Sequence, residues 1–314
     1  MRDLKLVSVD EPFTKLLTQG MVLNEAFVRT SDSGGREYFW EHDLDVVRDE
    51  YQQVVSATAK RDGLSVQCEG WTTMSKSKNN GVDPQEVIDR YGADTARLFV
   101  MFASPPEQTI EWNDAGVEGA HRFLRRVWQF AVKHQAALQP GGASSEGADA
   151  KALRFELHTV LKQVGYDYER MQYNTVVSGC MKMLNALEDF KSDGSDGDAA
   201  ALCEGLSMLL RCLYPACPHI TSQLWMELGY AKVQGPLLDA PWPEVDESAL
   251  VQDEIELMLQ VNGKLRGSIQ VSANASKEDI EKVALSSEAF LKQANGATPK
   301  KVIVVPGRLV NLVV

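Results

Sequence analysis

The feature that most constrains this chain is a run of helical periodicity between residues 114 and 230. Apolar residues recur there at spacings of three and four, which is the period of one face of an α-helix. Five such stripes follow one another, at 117–131, 153–164, 176–187, 202–213 and 220–228. Because each stripe is stable only when it is buried against the others, the sequence predicts an antiparallel helical bundle over residues 113–230.

The same pattern separates core positions from surface positions. We expect Trp128 and the methionines of the bundle to lie in the core, whereas a basic cluster lies largely opposite the first stripe. That cluster consists of Arg122, Arg125, Arg126 and Lys133. A solvated helix face and an RNA contact are both consistent with it. A Gly- and Ser-rich linker is predicted at 139–147, and a proline-rich linker at 231–248 follows the bundle.

Beyond residue 249 the apolar period falls to two, which indicates β-strands. Asn262-Gly263 stands between two alternating runs and is a strong signal for a two-residue hairpin. Ser276 is placed to cap a helix. The second strand is predicted to carry Leu265, Ile269 and Val271, and two later strands flank a turn at Pro306-Gly307. We therefore expect a small β-β-α-β-β domain over 249–314.

The first 72 residues differ from both of these regions. Residues 11–17 predict a short helix and residues 19–23 a buried strand. Because these elements do not make up a complete domain, residues 1–26 are interpreted as the end of a preceding one. Residues 27–72 contain short apolar–polar alternations and strong turn signals at 31–36 and 61–63. This stretch predicts a small β-rich insert.

Between the insert and the bundle lies a lysine-containing loop with the sequence Thr-Met-Ser-Lys-Ser-Lys-Asn-Asn-Gly, residues 73–81. Its lysines and hydroxyls can serve an anion, and its small polar residues favour an open, mobile loop. Asp83 is placed to cap the following helix, with Pro84 at its first position and Glu86 at the capping-box position. The pattern fits a polyphosphate-binding loop, and it also fits a solvated polar loop without any ligand.

Composition narrows the class of protein. The chain has 314 residues and 44% hydrophobic residues, which fits a soluble protein of two or three domains. It lacks a signal-peptide pattern and has five cysteines without a Cys-x-x-Cys pair, so we expect a reduced, cytoplasmic protein. Cys212 and Cys217 lie beside His219, but their spacing does not match a zinc motif, and we expect them to be core residues without a bound metal.

The net charge of −12 argues against a nucleic-acid partner only at first sight. Residues 192–260 hold twelve acidic and two basic residues, whereas residues 249–314 hold eight basic and seven acidic ones. Because local patches determine where a phosphate backbone can bind, the regional balance leaves RNA binding open.

Residues 74–77, Met-Ser-Lys-Ser, resemble the second signature motif of class I aminoacyl-tRNA synthetases, Lys-Met-Ser-Lys-Ser, with Thr73 in place of the first lysine. The continuation 78–84 is similar to the leucyl-tRNA synthetase version. Residues 90–99 resemble the segment that joins the catalytic domain to the bundle, and residues 261–267 and 306–314 resemble the C-terminal domain of the bacterial leucyl enzymes. The chain is thus similar to the C-terminal portion of bacterial leucyl-tRNA synthetases.

The resemblance implies a multidomain, mainly α protein. Its expected parts are the end of a catalytic Rossmann domain (1–26), a leucine-specific β-rich insertion (27–72), the signature loop with connecting helices (73–112), an anticodon-binding-type bundle (113–230), a linker (231–248) and a C-terminal tRNA-binding domain (249–314). Activity would be leucine–tRNA ligation, with ATP entering as its magnesium complex and tRNA(Leu) as partner. We expect a monomer.

The resemblance also implies site residues. Lys76 would be the catalytic cation at the α-phosphate of ATP, because negative charge that builds up there needs positioned cations. ATP-binding residues would be Met74, Ser75, Lys76, Ser77 and Lys78. The residues expected to contact tRNA are Arg122, Arg125, Arg126, Lys264, Arg266, Lys300, Lys301 and Arg308.

Two parts of the family pattern are missing. The five histidines include no His-x-Gly-His pair, and no editing insertion is visible. We therefore expect the chain alone to lack the leucine pocket and most of the ATP site, to bind tRNA weakly and not to aminoacylate. Three alternatives stay open, namely an isoleucine, valine or methionine enzyme, a non-catalytic RNA-binding module, and a structural helical adaptor.

Overall fold

The computed structural model describes residues 1–136, 138, 147–251, 254–273, 275–294, 299–305 and 307–314, and the chain divides into two compact units, Met1–Val245 and Asp246–Val314. Most of the linker predicted at 139–147 and Pro306 of the predicted turn lie outside the described residues. None of the helices within those ranges is long and apolar enough to cross a membrane.

The first unit contains a six-stranded sheet in which five strands follow the order β2-β1-β5-β4-β3. The sixth strand, β6, pairs in parallel with the first two residues of β1. The strands are β1 (Val22–Thr30), β2 (Arg36–Phe39), β3 (Leu44–Arg48), β4 (Val54–Ala59), β5 (Ser65–Thr73) and β6 (Ile110–Glu111). A small apolar core is built on Phe27, Phe39, Leu44 and Val66. The predicted turns are present, with Gly34 and Gly63 at positive φ.

The N-terminal segment differs from the prediction. Residues 1–21 form turns and bends without helix or strand, so the short helix predicted at 11–17 is wrong and no Rossmann-like α/β unit is formed there. Phe13 and Leu16 are 63% and 68% exposed, so no packing compensates the cost of ordering a seven-residue helix. The strand predicted at 19–23 begins only at Val22 and continues to Thr30. The boundary predicted between residues 26 and 27 therefore falls inside a single strand.

A helical bundle forms the rest of the first unit. Its helices are α1 (Pro84–Tyr91), α2 (Ala93–Ala103), α3 (Asp114–His134), α4 (Ala148–Glu169), α5 (Tyr173–Asp189), α6 (Asp196–Leu213), α7 (Pro218–Glu227) and α8 (Tyr230–Gln234). The five predicted stripes fall on α3 to α7 and supply most of one continuous buried core. The predicted stripes are therefore helical and buried. Trp128, however, is 37% exposed because it lies at the margin of the α3 stripe, so its assignment to the core was wrong.

The second unit is a four-stranded sheet in the order β8-β7-β10-β9, in which β10 runs parallel to β7. Its elements are β7 (Glu254–Val261), β8 (Lys264–Ser272), α9 (Lys277–Ser286), α10 (Glu288–Ala294), β9 (Lys301–Val305) and β10 (Leu309–Val313). The predicted hairpin forms at Asn262 and Gly263, both at positive φ, and Ser276 caps α9 by accepting a hydrogen bond from the amide of Asp279.

Two details of this unit correct the sequence reasoning. The single predicted helix is interrupted at Ser287, whose extended backbone separates α9 from α10, so the order is β-β-α-α-β-β. A register shift in the β7–β8 pair places Leu265 opposite Gln260 rather than Val261. Leu265 is consequently 61% exposed, whereas Ile269 and Val271 on the same strand are buried as predicted.

Candidate functional site

The lysine loop is built as a single tight turn on the end of β5. Lys76–Lys78 forms a 3-10 helix, preceded by Ser75 in extended conformation and followed by Asn79 in the left-handed region at φ 50°. The amide of Lys78 donates to the carbonyl of Ser75 at 3.2 Å. Asparagine tolerates a left-handed backbone better than most residues, so Asn79 can end this turn without a glycine.

Asn80 anchors the turn from inside, with only 4% of its surface exposed. Its Oδ1 accepts a hydrogen bond from the amide of Ser75 at 2.9 Å, and its Nδ2 donates to the carbonyl of Asn24 on β1 at 3.2 Å and to Oγ1 of Thr72 on β5 at 3.1 Å. The Nδ2 of Asn24 donates back to the carbonyl of Asn80 at 3.1 Å. These bonds tie both ends of the loop to the sheet.

Two further contacts hold the outer side of the loop. Nδ2 of Asn79 donates to the carbonyl of Tyr38 on β2 at 2.8 Å, and the amide of Met74 donates to the carbonyl of Val22 at 3.0 Å. The hydroxyls of Ser75 and Ser77 lie 3.0 Å apart. Sequence reasoning missed Asn24, Asn79 and Asn80, since their partners are distant in sequence and adjacent asparagines alone are typical of any loop.

The two lysines of the loop remain available to a ligand. Lys76 is exposed and Lys78 is half-buried, and within the described ranges neither ammonium has a hydrogen-bond or ion-pair partner. A lysine ammonium is a compact charge with three donors, which suits a phosphate oxygen. Thr73, the residue at the first signature position, is the last residue of β5 and pairs with Leu23.

The N-terminus of α1 is already occupied. Oδ1 of Asp83 accepts a hydrogen bond from the amide of Gln85 at 2.9 Å, and Pro84 stands at the first helical position, as the sequence predicted. The side chain of Glu86 has no hydrogen bond among the residues that the structure describes, so the full capping box is not formed. Because a carboxylate already satisfies this helix end, the positive groups left without a partner here are the two lysines of the loop, not the helix terminus.

The basic cluster on α3 separates into two kinds of side chain. Arg122 and Arg125 are exposed, and neither has an ion-pair partner in the described part of the chain. Arg126 instead donates to Oδ1 of Asn185 at 2.7 Å and forms an ion pair with Glu188, both on α5. The hydrogen bond with Glu188 raises the pKa of Arg126. To reach a phosphate, Arg126 would have to leave these partners.

Arg125 stands at the edge of a cleft of about 430 Å³ between the start of α2, α3 and α7. Trp128, His121 and Tyr91 also line this cleft. Nearby, the guanidinium of Arg90 lies 3.9 Å from the carboxylate of Glu118, which partly balances its charge. Among the described residues that line the cleft, Arg125 is thus a cation without an ion-pair partner, next to the exposed indole of Trp128.

The five basic residues of the second unit that are predicted to contact tRNA do not form one cluster. Lys264 pairs with Val261, Lys301 pairs with Val313, and Lys300 precedes β9, so these three lysines lie toward one end of the sheet. Arg308 lies in the β9–β10 turn at the opposite end, where its carbonyl accepts from the amide of Met258. Arg266 lies on the edge strand β8, at the register shift. All five side chains are exposed.

The cysteines lack the character of metal ligands or nucleophiles. Burial raises the pKa of Cys180 to about 12 and also raises the pKa values of Cys212 and Cys217, so these thiols stay protonated. His219 turns its Nδ1 to Oδ1 of Asp94 at 2.7 Å. Across the described ranges no three His, Cys, Asp or Glu side chains come together in a way that could hold a metal ion.

Comparison with known proteins gives two family matches. The family described as "tRNA synthetases class I (I, L, M and V)" matches residues 51–113, a range that includes the lysine loop. The family described as "Anticodon-binding domain of tRNA ligase" matches residues 150–283, which include most of the bundle.

Curated relatives match along the whole chain. The leucine–tRNA ligase of Leptothrix cholodnii is 67% identical over 318 residues, and that of Polaromonas naphthalenivorans is 63% identical over 331 residues. Each alignment covers 100% of this chain but only 36% and 37% of the relative, so the chain spans little more than a third of the length of the relatives it matches.

A solved structure matches as well. The agnB2 LeuRS of Agrobacterium radiobacter K84, determined in a ternary complex with tRNA and LeuAMS, is similar with a TM-score of 0.66 and 25% identity. The match covers 99% of this chain and 34% of that one. Together with the two family matches and the relatives above 60% identity, it shows that the chain belongs to the class I tRNA synthetase family, as a part of the leucine–tRNA ligase type.

Proposed function

We propose that the chain is the part of a leucine–tRNA ligase that supplies the second signature loop and surfaces for tRNA. The complete reaction would join leucine to ATP as leucyl-adenylate, with release of pyrophosphate, and then transfer leucine to tRNA(Leu). Since the chain spans about 37% of its relatives, the leucine pocket and the remaining ATP contacts would come from the rest of a longer enzyme.

One observation carries this proposal: Lys76 is exposed on a turn whose backbone is fixed from inside by Asn80. Its ammonium has no partner within the described residues, so it can approach a phosphate without first breaking an ion pair. A cation held in place before the reaction stabilises charge that develops in the transition state, because little reorganisation is needed at that moment. Lys78 would add a second positive charge two residues later.

The chemistry assigned to this loop is electrostatic. When the leucine carboxylate attacks the α-phosphate of ATP, negative charge builds up on the phosphate oxygens and the departing pyrophosphate. Lys76 would donate to these oxygens, while the neighbouring hydroxyls of Ser75 and Ser77 and the backbone at Met74 shape the loop around them. ATP would enter as its magnesium complex, in which the ion shields part of the triphosphate charge.

We also propose two surfaces for tRNA. On α3, Arg122 and Arg125 present cations that no described acid neutralises. In the second unit, the lysines at one end of the sheet, Lys264, Lys300 and Lys301, could follow a phosphate backbone, and Arg266 and Arg308 would contribute separately. Contacts with phosphates set position and affinity rather than sequence preference. The five free thiols are consistent with action in the cytoplasm.

The test uses a chimera in which this chain replaces the matching segment of the Leptothrix cholodnii leucine–tRNA ligase. Lys76→Ala should lower the kcat of leucine-dependent ATP–pyrophosphate exchange by about 100-fold or more, which is the usual cost of removing one preorganised donor. Lys182→Ala, at an exposed lysine on α5, is the matched control and should leave the rate within twofold. A near-normal rate for Lys76→Ala would refute the role of this lysine.

A further inference from the structure

The buried side chain of Asn80 is hydrogen-bonded both to the lysine loop and to the two strands beside it. An asparagine side chain offers two donors and an acceptor oxygen, and here the oxygen and the amide both find partners within the fold. Nδ2 also lies 3.4 Å from the carbonyl of Thr72. Only 4% of the residue is exposed, so water cannot replace these partners when the side chain is removed.

The partners of Asn80 belong to two separate parts of the chain, the end of β5 with the start of the loop, and β1. Ser75 immediately precedes Lys76, Thr72 lies near the end of β5, and Asn24 lies on β1, 56 residues from Asn80 in sequence. The hydrogen bond from the Ser75 amide to Oδ1 of Asn80 connects the two ends of the 3-10 turn that carries Lys76. Asn80 thereby fixes the start of the turn relative to the sheet, and with it the direction in which the lysine leaves the backbone.

We propose that Asn80 is a positioning residue for Lys76. It sets the reactive geometry of the lysine without touching ATP, through its bonds to Ser75 and to the two strands. This inference rests on the function proposed above for Lys76, and it adds a residue whose effect on the reaction passes entirely through that lysine. Without the side chain, the amide of Ser75 loses its bond to Oδ1 and the extra bonds to Asn24 and Thr72 are gone, so the turn samples other conformations.

The first test measures the loop alone and needs no ATP. In the 314-residue chain, trypsin can cut after Lys76 and Lys78, and mass spectrometry follows each cut separately. Asn80→Ala should speed both cuts at least tenfold, because a protease needs a locally opened backbone. Thr221→Val is the matched control, since it removes a fully buried hydrogen bond, from Oγ1 to the carbonyl of Cys217 at 2.6 Å, on the remote helix α7.

The control separates local from global effects. Thr221→Val should leave the two loop cuts within twofold of the unchanged chain. Equal cleavage of the loop in the unchanged chain and in Asn80→Ala would overturn the positioning role. If Asn80→Ala yields no folded protein, Asn80→Asp replaces it, because the carboxylate keeps an acceptor for Ser75 but loses both donors. The same acceleration is expected for Asn80→Asp, and cleavage at the unchanged rate would likewise overturn the positioning role.

The second test asks whether Asn80 acts through Lys76. In the Leptothrix cholodnii chimera, Asn80→Ala should lower the kcat of ATP–pyrophosphate exchange at least tenfold, with the KM for leucine within twofold. The double variant Lys76→Ala/Asn80→Ala should be no slower than Lys76→Ala alone, because a positioning residue has nothing left to position. A double variant slower by the product of the two single effects would overturn the inference.

The two proposals fail in different ways. If Lys76→Ala leaves the exchange rate unchanged, the proposed function of the lysine fails, whatever the protease reports about the loop. If Lys76→Ala is strongly impaired while Asn80→Ala retains full kcat, the function stands and the positioning role of Asn80 is wrong. If Asn80 had a merely structural role, Asn80→Ala would lower the midpoint of thermal unfolding and the active fraction of the enzyme. The rate of the double variant would then be reduced by the product of the two single effects.

Discussion

Asp94, near the start of α2, accepts a hydrogen bond of 2.7 Å at its Oδ2 from the amide of Ile220 in the first turn of α7. Its Oδ1 also lies 2.7 Å from Nδ1 of His219. Three residues along α2, Arg97 donates to the carbonyls of Pro215 and Ala216 at 2.9 and 3.0 Å. Helix α2 is thus fixed to α7 by a charge at the N-terminus of α7 and by a pair of hydrogen bonds to the turn that precedes it.

Removing this cap should weaken the first unit. Asp94 is only 8% exposed and its carboxylate faces the positive end of α7, so Asp94→Ala should lower the free energy of unfolding by about 1–2 kcal/mol. Asp94→Asn keeps an oxygen for the amide of Ile220 but loses the charge, so it should lose roughly half as much. Urea unfolding measures both.

Tryptophan fluorescence is the suitable signal, because all six tryptophans lie within Met1–Val245 and none in the second unit. The measured transition therefore belongs to the unit that contains Asp94. An Ala variant as stable as the unchanged chain would contradict the capping role, and so would an Asn variant less stable than the Ala variant.

Close packing of α4 against α5 predicts opposite effects for the same substitution at two glycines. A Cβ on Gly179 would lie 2.2 Å from Cγ2 of Val164, and a β-branched valine has little freedom to move. Gly179→Ala should therefore destabilise the first unit by about 1–3 kcal/mol. On α3, a Cβ on Gly119 meets nothing closer than the guanidinium of Arg122 at 3.8 Å. Gly119→Ala should stabilise by about 0.5–1 kcal/mol through helix propensity.

The same urea transition tests this pair. The matched design removes the effect of the substitution itself, since both sites change from glycine to alanine inside a helix. A stabilised Gly179→Ala variant would show that α4 and α5 can move apart at no cost, contrary to the observed approach.

The sequence sufficed for elements whose stability depends on a local or periodic signal. Apolar periodicity located the helices of the bundle, because burying such a stripe is what stabilises a helix in a folded protein. The hairpin at Asn262 and Gly263 was equally predictable, since both residues favour positive φ. The family resemblance located the lysine loop, which periodicity alone could not distinguish from any solvated turn.

What depended on tertiary partners was not predictable. The side chain of the buried Asn80 donates a hydrogen bond to the carbonyl of Asn24, which lies 56 residues away in sequence. No local sequence pattern predicts such a hydrogen bond. Arg126 was grouped with its neighbours on α3, but unlike Arg122 and Arg125 it forms an ion pair with Glu188 on α5. Leu265 followed the alternation of its strand until a register shift turned it outward. In each case the deciding interaction joins segments that sequence periodicity treats separately.

A partly buried ionic cluster in the bundle predicts acid sensitivity. Oε2 of Glu204 lies 2.6 Å from Nε of Arg154, and its Oε1 lies 3.1 Å from Nε2 of His158, a residue that is 1% exposed. Burial alone would raise the pKa of Glu204, but the hydrogen bonds from His158 and Arg154 outweigh it and lower the pKa below its usual 4.5.

The sign of the effect follows from linkage. A carboxyl whose pKa is lowered in the folded state contributes stability that is fully present above pH 4.5 and is lost as the pH falls through the folded value. Glu204→Gln removes this titration, so its free energy of unfolding should depend less on pH below 4.5 than that of the unchanged chain. Urea unfolding between about pH 3 and 6, followed by tryptophan fluorescence, measures the difference, and parallel curves would contradict the assignment.

The two kinds of arginine on α3 should respond differently to RNA. Arg122 and Arg125 are exposed without described partners, so Arg122→Ala and Arg125→Ala should each weaken tRNA(Leu) binding to the chain and reduce the slope of log K against log salt by about one unit. Arg126→Ala is the matched control, because Asn185 and Glu188 hold its guanidinium away from a phosphate, and its salt slope should stay unchanged. Fluorescence anisotropy of labelled tRNA over a series of KCl concentrations gives the slopes. If Arg126→Ala lowered the slope as much as the other two, the ion pair with Glu188 would have to open on binding, and all three arginines would belong to one RNA surface.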